Sequence, residues 1–329
     1  MSYVNNMELV SVLIPVYNAA AYLEECLTSV TNQTYPQLEI LIYNDGSTDG
    51  SLELARNLAQ KDARIKVIDG GANQGPGSAK NKLVDLANGY YLTFVDADDR
   101  IGPKRIARMV HAIKASNADF IQVDEEHNQL KDDGSSFIYD CSSLKQRLIL
   151  GGDKGNFTTL WSKIFRRSFL QDNHIRFTEK RMSADDVGYC LKSYAMAQKI
   201  SFISGDDYYY RKGVANQLTA QIDRLIIGRV KNVVDAISYF LDKDTKINLD
   251  PAAASYLALK LTRYLASLRH TSKSSLTDVE KVYREALLSF KAIQECLPLT
   301  SKFRYGSCLS IISKIPLPWC FYGLKLLTI

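Results

Sequence analysis

The sequence predicts an α/β protein with a mainly parallel sheet flanked by helices, followed by a C-terminal region of helices only. Apolar, β-prone runs alternate with segments of helical spacing up to about residue 123, and from about residue 221 only helical segments follow. The first run, Leu9–Val16, is almost continuously apolar, which is typical of a strand buried on both faces. Repeated β-α-β units with right-handed crossovers place helices on both faces of such a sheet.

The individual elements follow from the same two patterns, apolar β-prone runs for strands and helical spacing of apolar residues for helices. In the first helix Leu23, Leu27 and Val30 share one face, and Pro103 suits the first turn of a later helix. Strands are expected over Leu9–Val16, Leu38–Tyr43, Ile65–Ile68, Tyr90–Val95, Phe120–Val123, Lys199–Ile203 and Tyr208–Arg211. Helices are expected over Ala20–Thr31, Thr48–Lys61, Gly77–Ala87, Pro103–Ala115, Ala184–Ala197, Ile222–Leu241, Pro251–Arg269 and Thr277–Cys296. We therefore predict one large α/β domain over 1–220, made of two halves at 1–123 and 124–220, and a helical region over 221–329.

Charge and cysteine usage limit the function classes. The chain has 329 residues and a net charge of 41 minus 36, or +5, which is too mild to predict nucleic-acid binding. Its six cysteines form no C-x-x-C pair, as expected in a reducing cytosol. Residues 1–8 are short and polar, and there is no uninterrupted run of 18 apolar residues. These features predict a cytoplasmic protein without a signal peptide or a spanning helix.

An acidic cluster directly follows one predicted strand. The strand Tyr90–Val95 ends in Asp96, Asp98 and Asp99, three carboxylates within four residues. Unpaired buried carboxylates are costly, so these groups must face water or a cation at the open end of the strand. A D-x-D pair there could bind a divalent ion that holds a diphosphate. The alternative is a solvated acidic turn in which Asp99 caps the next helix.

Other strand ends on the same edge also carry polar groups. The first strand ends in Pro15, Tyr17 and Asn18, and the second leads to Asp45. The third is followed by the loop 73–81, which fits neither the Walker pattern nor G-x-G-x-x-G and so disfavours a dinucleotide-binding dehydrogenase. Because ligands bind at the carboxyl ends of strands in open α/β sheets, this agreement favours a nucleotide and metal site.

An ordered set of motifs resembles the family-2 glycosyltransferases of the GT-A fold. The resemblance covers about residues 8–220. Its motifs are Val10-Ser11-Val12-Leu13-Ile14-Pro15-Val16-Tyr17-Asn18, Asn44-Asp45-Gly46-Ser47-Thr48-Asp49, Phe94-Val95-Asp96-Ala97-Asp98-Asp99, Leu160-Trp161-Ser162-Lys163-Ile164-Phe165-Arg166-Arg167, Ala184-Asp185-Asp186-Val187 and Tyr209-Tyr210-Arg211 with Asn216-Gln217-Leu218-Thr219. The resemblance implies an inverting hexosyltransferase that moves a sugar from a nucleotide-diphosphate donor, expected to be UDP-linked, to a hydroxyl of a glycan or lipid-linked acceptor.

The resemblance also implies roles for individual residues. Asp98 would hold Mn²⁺ or Mg²⁺ on the diphosphate, Asp186 would be the general base, and Asp185 would assist it and bind the acceptor. Trp161 and Lys163 would also contact the acceptor. The nucleotide sugar would be bound by Pro15, Tyr17, Asn18, Asp45, Asn73, Gly75, Lys80, Asp96, Ala97, Arg211 and Thr219. Two positions depart from the family pattern: Asp185 replaces the usual Glu, and Lys80 stands where Arg is common.

The C-terminal segment 303–329 combines aromatic residues with lysines and contains no acid. Such a segment fits an anionic membrane surface, which would place the protein on the cytoplasmic face of the inner membrane near a lipid-linked acceptor. Packing on the catalytic domain, or on a second subunit of a homo-oligomer, is the equal alternative.

Two other functions stay open. A non-catalytic nucleotide-sugar or glycan-binding module would bind a UDP-sugar without turnover. A sugar-nucleotide nucleotidyltransferase is less favoured, because it would need a basic glycine-rich loop after the first strand, where the chain reads Tyr17-Asn18-Ala19-Ala20.

Overall fold

The computed structural model describes residues 7–124, 136–139, 143–144, 146–148, 158–179, 183–213, 222–242, 249–268 and 276–294. The chain divides into two compact units. The first unit comprises Met1–Cys141, Gly155–Arg181 and Ala197–Ala215, and the second comprises Ser142–Lys154, Met182–Met196 and Asn216–Ile329. The domain boundary expected at residue 220 stays a prediction.

The first unit is built on an eight-stranded sheet in the order β3-β2-β1-β4-β8-β6-β9-β7. β1 pairs in parallel with β2 and β4, β2 with β3, and β6 with β9, whereas β8 and β7 run antiparallel to their neighbours. The predicted mainly parallel α/β fold is therefore confirmed. The strands of the sheet are β1 Val10–Val16, β2 Leu38–Asn44, β3 Ile65–Asp69, β4 Tyr91–Phe94, β6 Phe120–Asp124, β7 Ser136–Tyr139, β8 Lys163–Arg166 and β9 Ile200–Ser204.

Helices follow the strands of the first unit. They are α1 Leu23–Thr31, α2 Ser51–Ala59, α3 Pro76–Leu86, α4 Arg105–Ser116 and α5 Arg167–Asp172. Pro76 opens α3, where its missing N–H is no loss because first-turn amides lack helical partners. The predicted helix start at Pro103 is wrong by two residues, since α4 begins at Arg105. A small antiparallel ribbon joins β5 Arg100–Ile101 to β10 Tyr208–Tyr209.

The amino ends of β1 and β2 carry a hydrogen-bonded cluster around one buried carboxylate. Glu39 is only 4% exposed, and its carboxylate accepts hydrogen bonds from the Ser11 hydroxyl (2.6 Å) and Lys66 Nζ (2.8 Å). The Asn88 backbone N–H and Nδ2 also donate to it, each at 2.9 Å. Burial alone would raise the pKa of Glu39, but these hydrogen bonds outweigh it and bring the pKa to about 2. The cluster fastens the turn before β4 to the two central strands.

The second unit is helical where it is described. Its helices are α6 Asp185–Met196, α7 Ile222–Leu241, α8 Pro251–Ser267 and α9 Leu276–Gln294. The Asp250 side chain caps α8 by accepting from the N–H groups of Ala252 and Ala253, both at 2.8 Å. Apolar side chains from α6 to α9, among them Leu191 and Val233, form a common core. Among the helices described, none has the length and apolar character needed to cross a membrane.

Candidate active site

The loops after β1 and β2 are hydrogen-bonded to each other at the carboxyl edge of the sheet. Asn18 adopts a left-handed conformation (φ 51°), and its Oδ1 accepts from the Thr48 N–H at 2.8 Å. The Asn18 N–H in turn donates to Ser47 Oγ at 3.0 Å. Pro15 is partly buried, whereas Tyr17 is 52% exposed. This arrangement leaves the Tyr17 side chain at the surface while Asn18 holds the two loops together.

Asp45 joins the second loop to the glycine-rich loop after β3. It is only 3% exposed, and its two carboxylate oxygens accept from the Gln74 N–H (2.8 Å) and the Gly75 N–H (2.9 Å). Gly46 lies close by with φ 72°, and a Cβ there would lie 2.5 Å from the Asn73 nitrogen. Asp45 therefore shapes the loop that contains Asn73 and Gly75.

The start of α3 is clasped to residues 176–179. Asn81 is buried, and its amide donates to the Phe177 carbonyl (3.0 Å) and accepts from the Phe177 N–H (2.9 Å). A Cβ at Gly77 would lie 2.2 Å from the Thr178 carbonyl oxygen, so only glycine permits this approach. Lys80 is 7% exposed, and its ammonium lies 5.4 Å from the centre of the Phe177 ring. The predicted donor residue Lys80 is thus fixed in place by aromatic packing.

The acidic cluster after β4 contains three aspartates in different environments. Asp96 and Asp98 are partly exposed, whereas Ala97 and Asp99 are buried. Asp99 accepts from the Tyr208 hydroxyl (2.7 Å) and the Arg211 N–H (2.8 Å). Burial raises the pKa of Asp99 to about 6, although both hydrogen bonds favour the carboxylate. The idea that Asp99 caps the next helix is wrong, because its partners lie in β10 and just after it, and α4 begins only at Arg105.

Aromatic stacking links the cluster to the Trp161 segment. Tyr208 receives a hydrogen bond from the Asp96 N–H (3.3 Å), and its ring stacks on Trp161 with centroids 4.2 Å apart. Lys163 is fully buried in β8, and its ammonium donates to the Thr159 carbonyl at 2.5 Å. The acceptor roles of Trp161 and Lys163 stay predictions; both have clear packing roles in the first unit.

Arg211 lies directly beside Asp98. Its Nε donates to the Asp98 carbonyl at 2.9 Å, its guanidinium pairs with Glu25, and it lies 5.0 Å from the centre of the Tyr22 ring. A cation is therefore held next to the position expected for the donor diphosphate. Glu25 and Tyr22 lie on and just before α1, and no motif in the sequence marked them.

The environment of Asp98 fits a divalent ion shared with a diphosphate. Its carboxylate is partly exposed, and no hydrogen bond to it is formed within the part of the chain that is described. Across those same residues, no group of three His, Cys, Asp or Glu side chains is placed to form a complete metal cage. Mg²⁺ and similar ions are commonly bound by one or two carboxylates together with substrate phosphates. Asp98 therefore suits an ion that binds with the donor.

The two aspartates predicted as the general base and its neighbour lie in the second unit. Asp185 and Asp186 form the first turn of α6, with Asp185 buried and Asp186 partly exposed. Ala184 precedes them in a left-handed conformation, φ 58°. Two further predictions, the donor contact of Thr219 and the membrane segment 303–329, lie outside the described residues.

Comparisons with known proteins identify the family to which this chain is similar. The family model for glycosyl transferase family 2 matches residues 11–172. Glycosyltransferase GlyG of Streptococcus pneumoniae is 26% identical over 298 residues, covering 86% of this chain and 95% of that protein. The poly(ribitol-phosphate) beta-glucosyltransferase of Bacillus spizizenii is 31% identical over 250 residues, covering 73% of this chain and 38% of the relative. The chain belongs to glycosyl transferase family 2.

The fold of this transferase is that of solved family members. The crystal structure of Staphylococcus aureus TarS 1-349 in complex with UDP-GlcNAc superimposes with a TM-score of 0.65 at 19% identity, covering 88% of this chain and 84% of that chain. At such low identity the similarity speaks for the fold alone. The predicted GT-A architecture is confirmed, and the chain is a glycosyltransferase.

Proposed function

We propose that this transferase moves a sugar from a UDP-linked donor to a hydroxyl group of a glycan acceptor, with inversion at the anomeric carbon. The observation that carries the proposal is the convergence of Asp45, Asp98 and Arg211 at one edge of the sheet in a family-2 fold. Asp45 is suited to a base, Asp98 to a metal-bound diphosphate and Arg211 to phosphate charge. TarS, which has a similar fold, is known in complex with UDP-GlcNAc and with UDP.

The donor would be bound by the residues named from the sequence. Asp45 would accept from the base, while Tyr17, with its exposed ring, would stack on it. Asp96 would contact the ribose or the donor sugar. Lys80 and Arg211 would supply positive charge near the leaving diphosphate, and charge-assisted hydrogen bonds of this kind are stronger than neutral ones.

Asp98 would hold Mn²⁺ or Mg²⁺ on the diphosphate. Such an ion stabilises the negative charge that develops on the leaving group. The mannosyltransferase PcManGT of Pyrobaculum calidifontis, with a TM-score of 0.55, is described in complex with GDP-Man and Mn²⁺. This neighbour supports a metal-dependent reaction without naming the donor used here.

Asp186 would act as the general base. As the acceptor oxygen attacks the anomeric carbon, its proton passes to the Asp186 carboxylate while the bond to the UDP oxygen breaks on the opposite face. Direct displacement from one face produces inversion. Asp185, buried beside it, would orient the acceptor or favour the charged transition state, in a helical first turn where carboxylates are stabilised by the macrodipole.

The proposed acceptor is a glycan at a membrane surface. The relatives that act on poly(ribitol-phosphate) favour a cell-surface glycan, and 303–329 would bring the enzyme to an anionic membrane that carries a lipid-linked acceptor. Removal of 303–329 should then move the protein from the membrane fraction to the soluble fraction. An unchanged distribution would contradict membrane binding.

The test is donor hydrolysis by wild-type enzyme and by Asp186→Asn. UDP-GlcNAc, UDP-glucose and GDP-mannose are screened with Mn²⁺, and release of the nucleoside diphosphate is measured. Asp186→Asn should retain UDP binding and lose at least roughly a hundredfold in turnover, because a general base is missing. Asp235→Asn is the matched control. Asp235 lies on α7, forms a salt bridge with Lys192 and has no proposed role in the reaction.

A binding module and a different general base would each give a different result in this test. Binding of a nucleotide sugar without turnover by the wild-type enzyme would favour a binding module. Full activity of Asp186→Asn would show that the base is elsewhere.

A further inference from the structure

We propose that Asn232 on α7 is a positioning residue for the general base, so that the C-terminal helices form part of the catalytic machinery. The inference rests on the proposed role of Asp186. It extends that function to a helix outside the residues 11–172 that the family model matches. All of the contacts that carry it lie within the second unit.

The first observation is a hydrogen bond to the turn that precedes the base. Asn232 is fully buried, and its Nδ2 donates to the Ser183 carbonyl at 3.3 Å and to the Gly228 carbonyl at 2.9 Å. Ser183 lies two residues before Asp185. A fixed amide therefore holds the backbone immediately before the two carboxylates.

The second observation is a close approach that only glycine permits. A Cβ at Gly228 would lie 2.1 Å from the Ser183 carbonyl oxygen, and a Cβ at Gly188 would lie 2.9 Å from the Asn232 carbonyl oxygen. One glycine comes from α7 and the other from α6, so the two helices touch backbone to backbone beside the turn. Contacts of this kind leave little room for α6 to slide or rotate.

The third observation is the backbone conformation of Ala184, the residue between Ser183 and Asp185. Ala184 has φ 58°, a left-handed conformation that a non-glycine residue adopts only when its surroundings impose it. The restraint on the Ser183 carbonyl supplies such surroundings. This turn sets the direction in which α6 begins and hence the direction of the Asp185 and Asp186 side chains.

A misplaced base slows the chemical step without weakening donor binding. Displacement of a catalytic group by about 1 Å can cost about a hundredfold in rate. We therefore expect Asn232→Ala to lower kcat by about tenfold or more, and to leave the Kd for UDP within about twofold of wild type. Gly228→Ala should have the same effect by a different route, since its methyl group would push the Ser183 carbonyl away.

Val233→Ala is the matched control for simple loss of stability. Val233 is the next residue of α7, is fully buried and packs in the helical core, and its apolar side chain cannot donate a hydrogen bond to the Ser183 carbonyl. It should lower the melting temperature and leave kcat unchanged, provided that all assays are run well below the unfolding transition. The split between kcat and UDP binding then separates positioning from stability.

The experiment compares wild type, Asn232→Ala, Gly228→Ala, Val233→Ala and Asp186→Asn in the full-length enzyme. The substrate is whichever of UDP-GlcNAc, UDP-glucose and GDP-mannose the wild type hydrolyses fastest, and UDP binding is measured by calorimetry. Reduced kcat with retained UDP binding in both α7 variants supports the inference. Wild-type kcat in Asn232→Ala, when Asp186→Asn is inactive, overturns the inference and leaves the proposed base intact. Full activity in Asp186→Asn overturns both this inference and the proposed role of Asp186 as the base.

Discussion

Replacement of Glu39 by Gln should destabilise the first unit by about 2–3 kcal/mol near neutral pH. The carboxylate accepts four hydrogen bonds, two at each oxygen. A glutamine amide offers one oxygen, so two of the donors would face an NH₂ group, and each lost bond costs about 1–1.5 kcal/mol. The drop in pKa from 4.5 to about 2 corresponds to about 3 kcal/mol at 1.36 kcal/mol per unit. Because Lys66 is 59% exposed, solvent screening lowers the free energy derived from the pKa toward the value derived from the lost hydrogen bonds.

The lowered pKa of Glu39 also predicts how the stability difference between wild type and Glu39→Gln changes with pH. The pKa of Glu39 is lower in the folded protein than in the unfolded chain, so its contribution is present above about pH 4.5 and is lost as pH falls toward about 2. Between neutral pH and about pH 3.5, the wild type should lose about 1.4 kcal/mol that Glu39→Gln does not lose. The stability gap between the two proteins should shrink by that amount.

Urea unfolding with tryptophan fluorescence measures this gap. The chain has two tryptophans, and in a Trp319→Phe background the signal comes from Trp161, in the first unit. Glu53→Gln is the matched control, because Glu53 is an exposed glutamate on α2. A Glu39→Gln effect no larger than that of Glu53→Gln, or a gap that does not change with pH, would refute the reasoning.

Two further predictions concern the proposed donor site. Asp98→Asn should abolish the Mn²⁺ dependence of UDP binding measured by calorimetry, because a neutral amide is a poor ligand for a hard cation. Retention of the full Mn²⁺ effect would rule out Asp98 as the metal ligand, and Asp85→Asn is a suitable control on the surface of α3. Gly77→Ala should destabilise the first unit by about 1–3 kcal/mol, since the new methyl group would overlap the Thr178 carbonyl. Ser78→Ala, which loses only the hydrogen bond to the Glu179 carbonyl, should cost less in the same urea titration.

The sequence alone determined the parts of this protein that depend on local pattern. The continuous apolar run at β1 predicted a buried parallel strand, and the cost of burying carboxylates predicted that the acids after β4 are accessible. That expectation holds for Asp96 and Asp98, which are partly exposed, and is wrong for Asp99, which is buried. The family resemblance rested on the same strand ends. For that reason the fold, the enzyme class and the position of Asp98 beside the sheet were all accessible before any coordinates.

Only the tertiary structure decided how distant side chains pair. A helix cap was the alternative role considered for Asp99, yet its partners are Tyr208 and Arg211, more than a hundred residues along the chain. Asn232 contacts Ser183 across 49 residues, with no motif to mark it. Periodicity along a chain records which face of an element is buried, whereas the partner of a buried polar group depends on which elements pack together. The polar strand ends at the carboxyl edge of the sheet could therefore be read from the sequence, whereas the distant side chains that hold them in place could not.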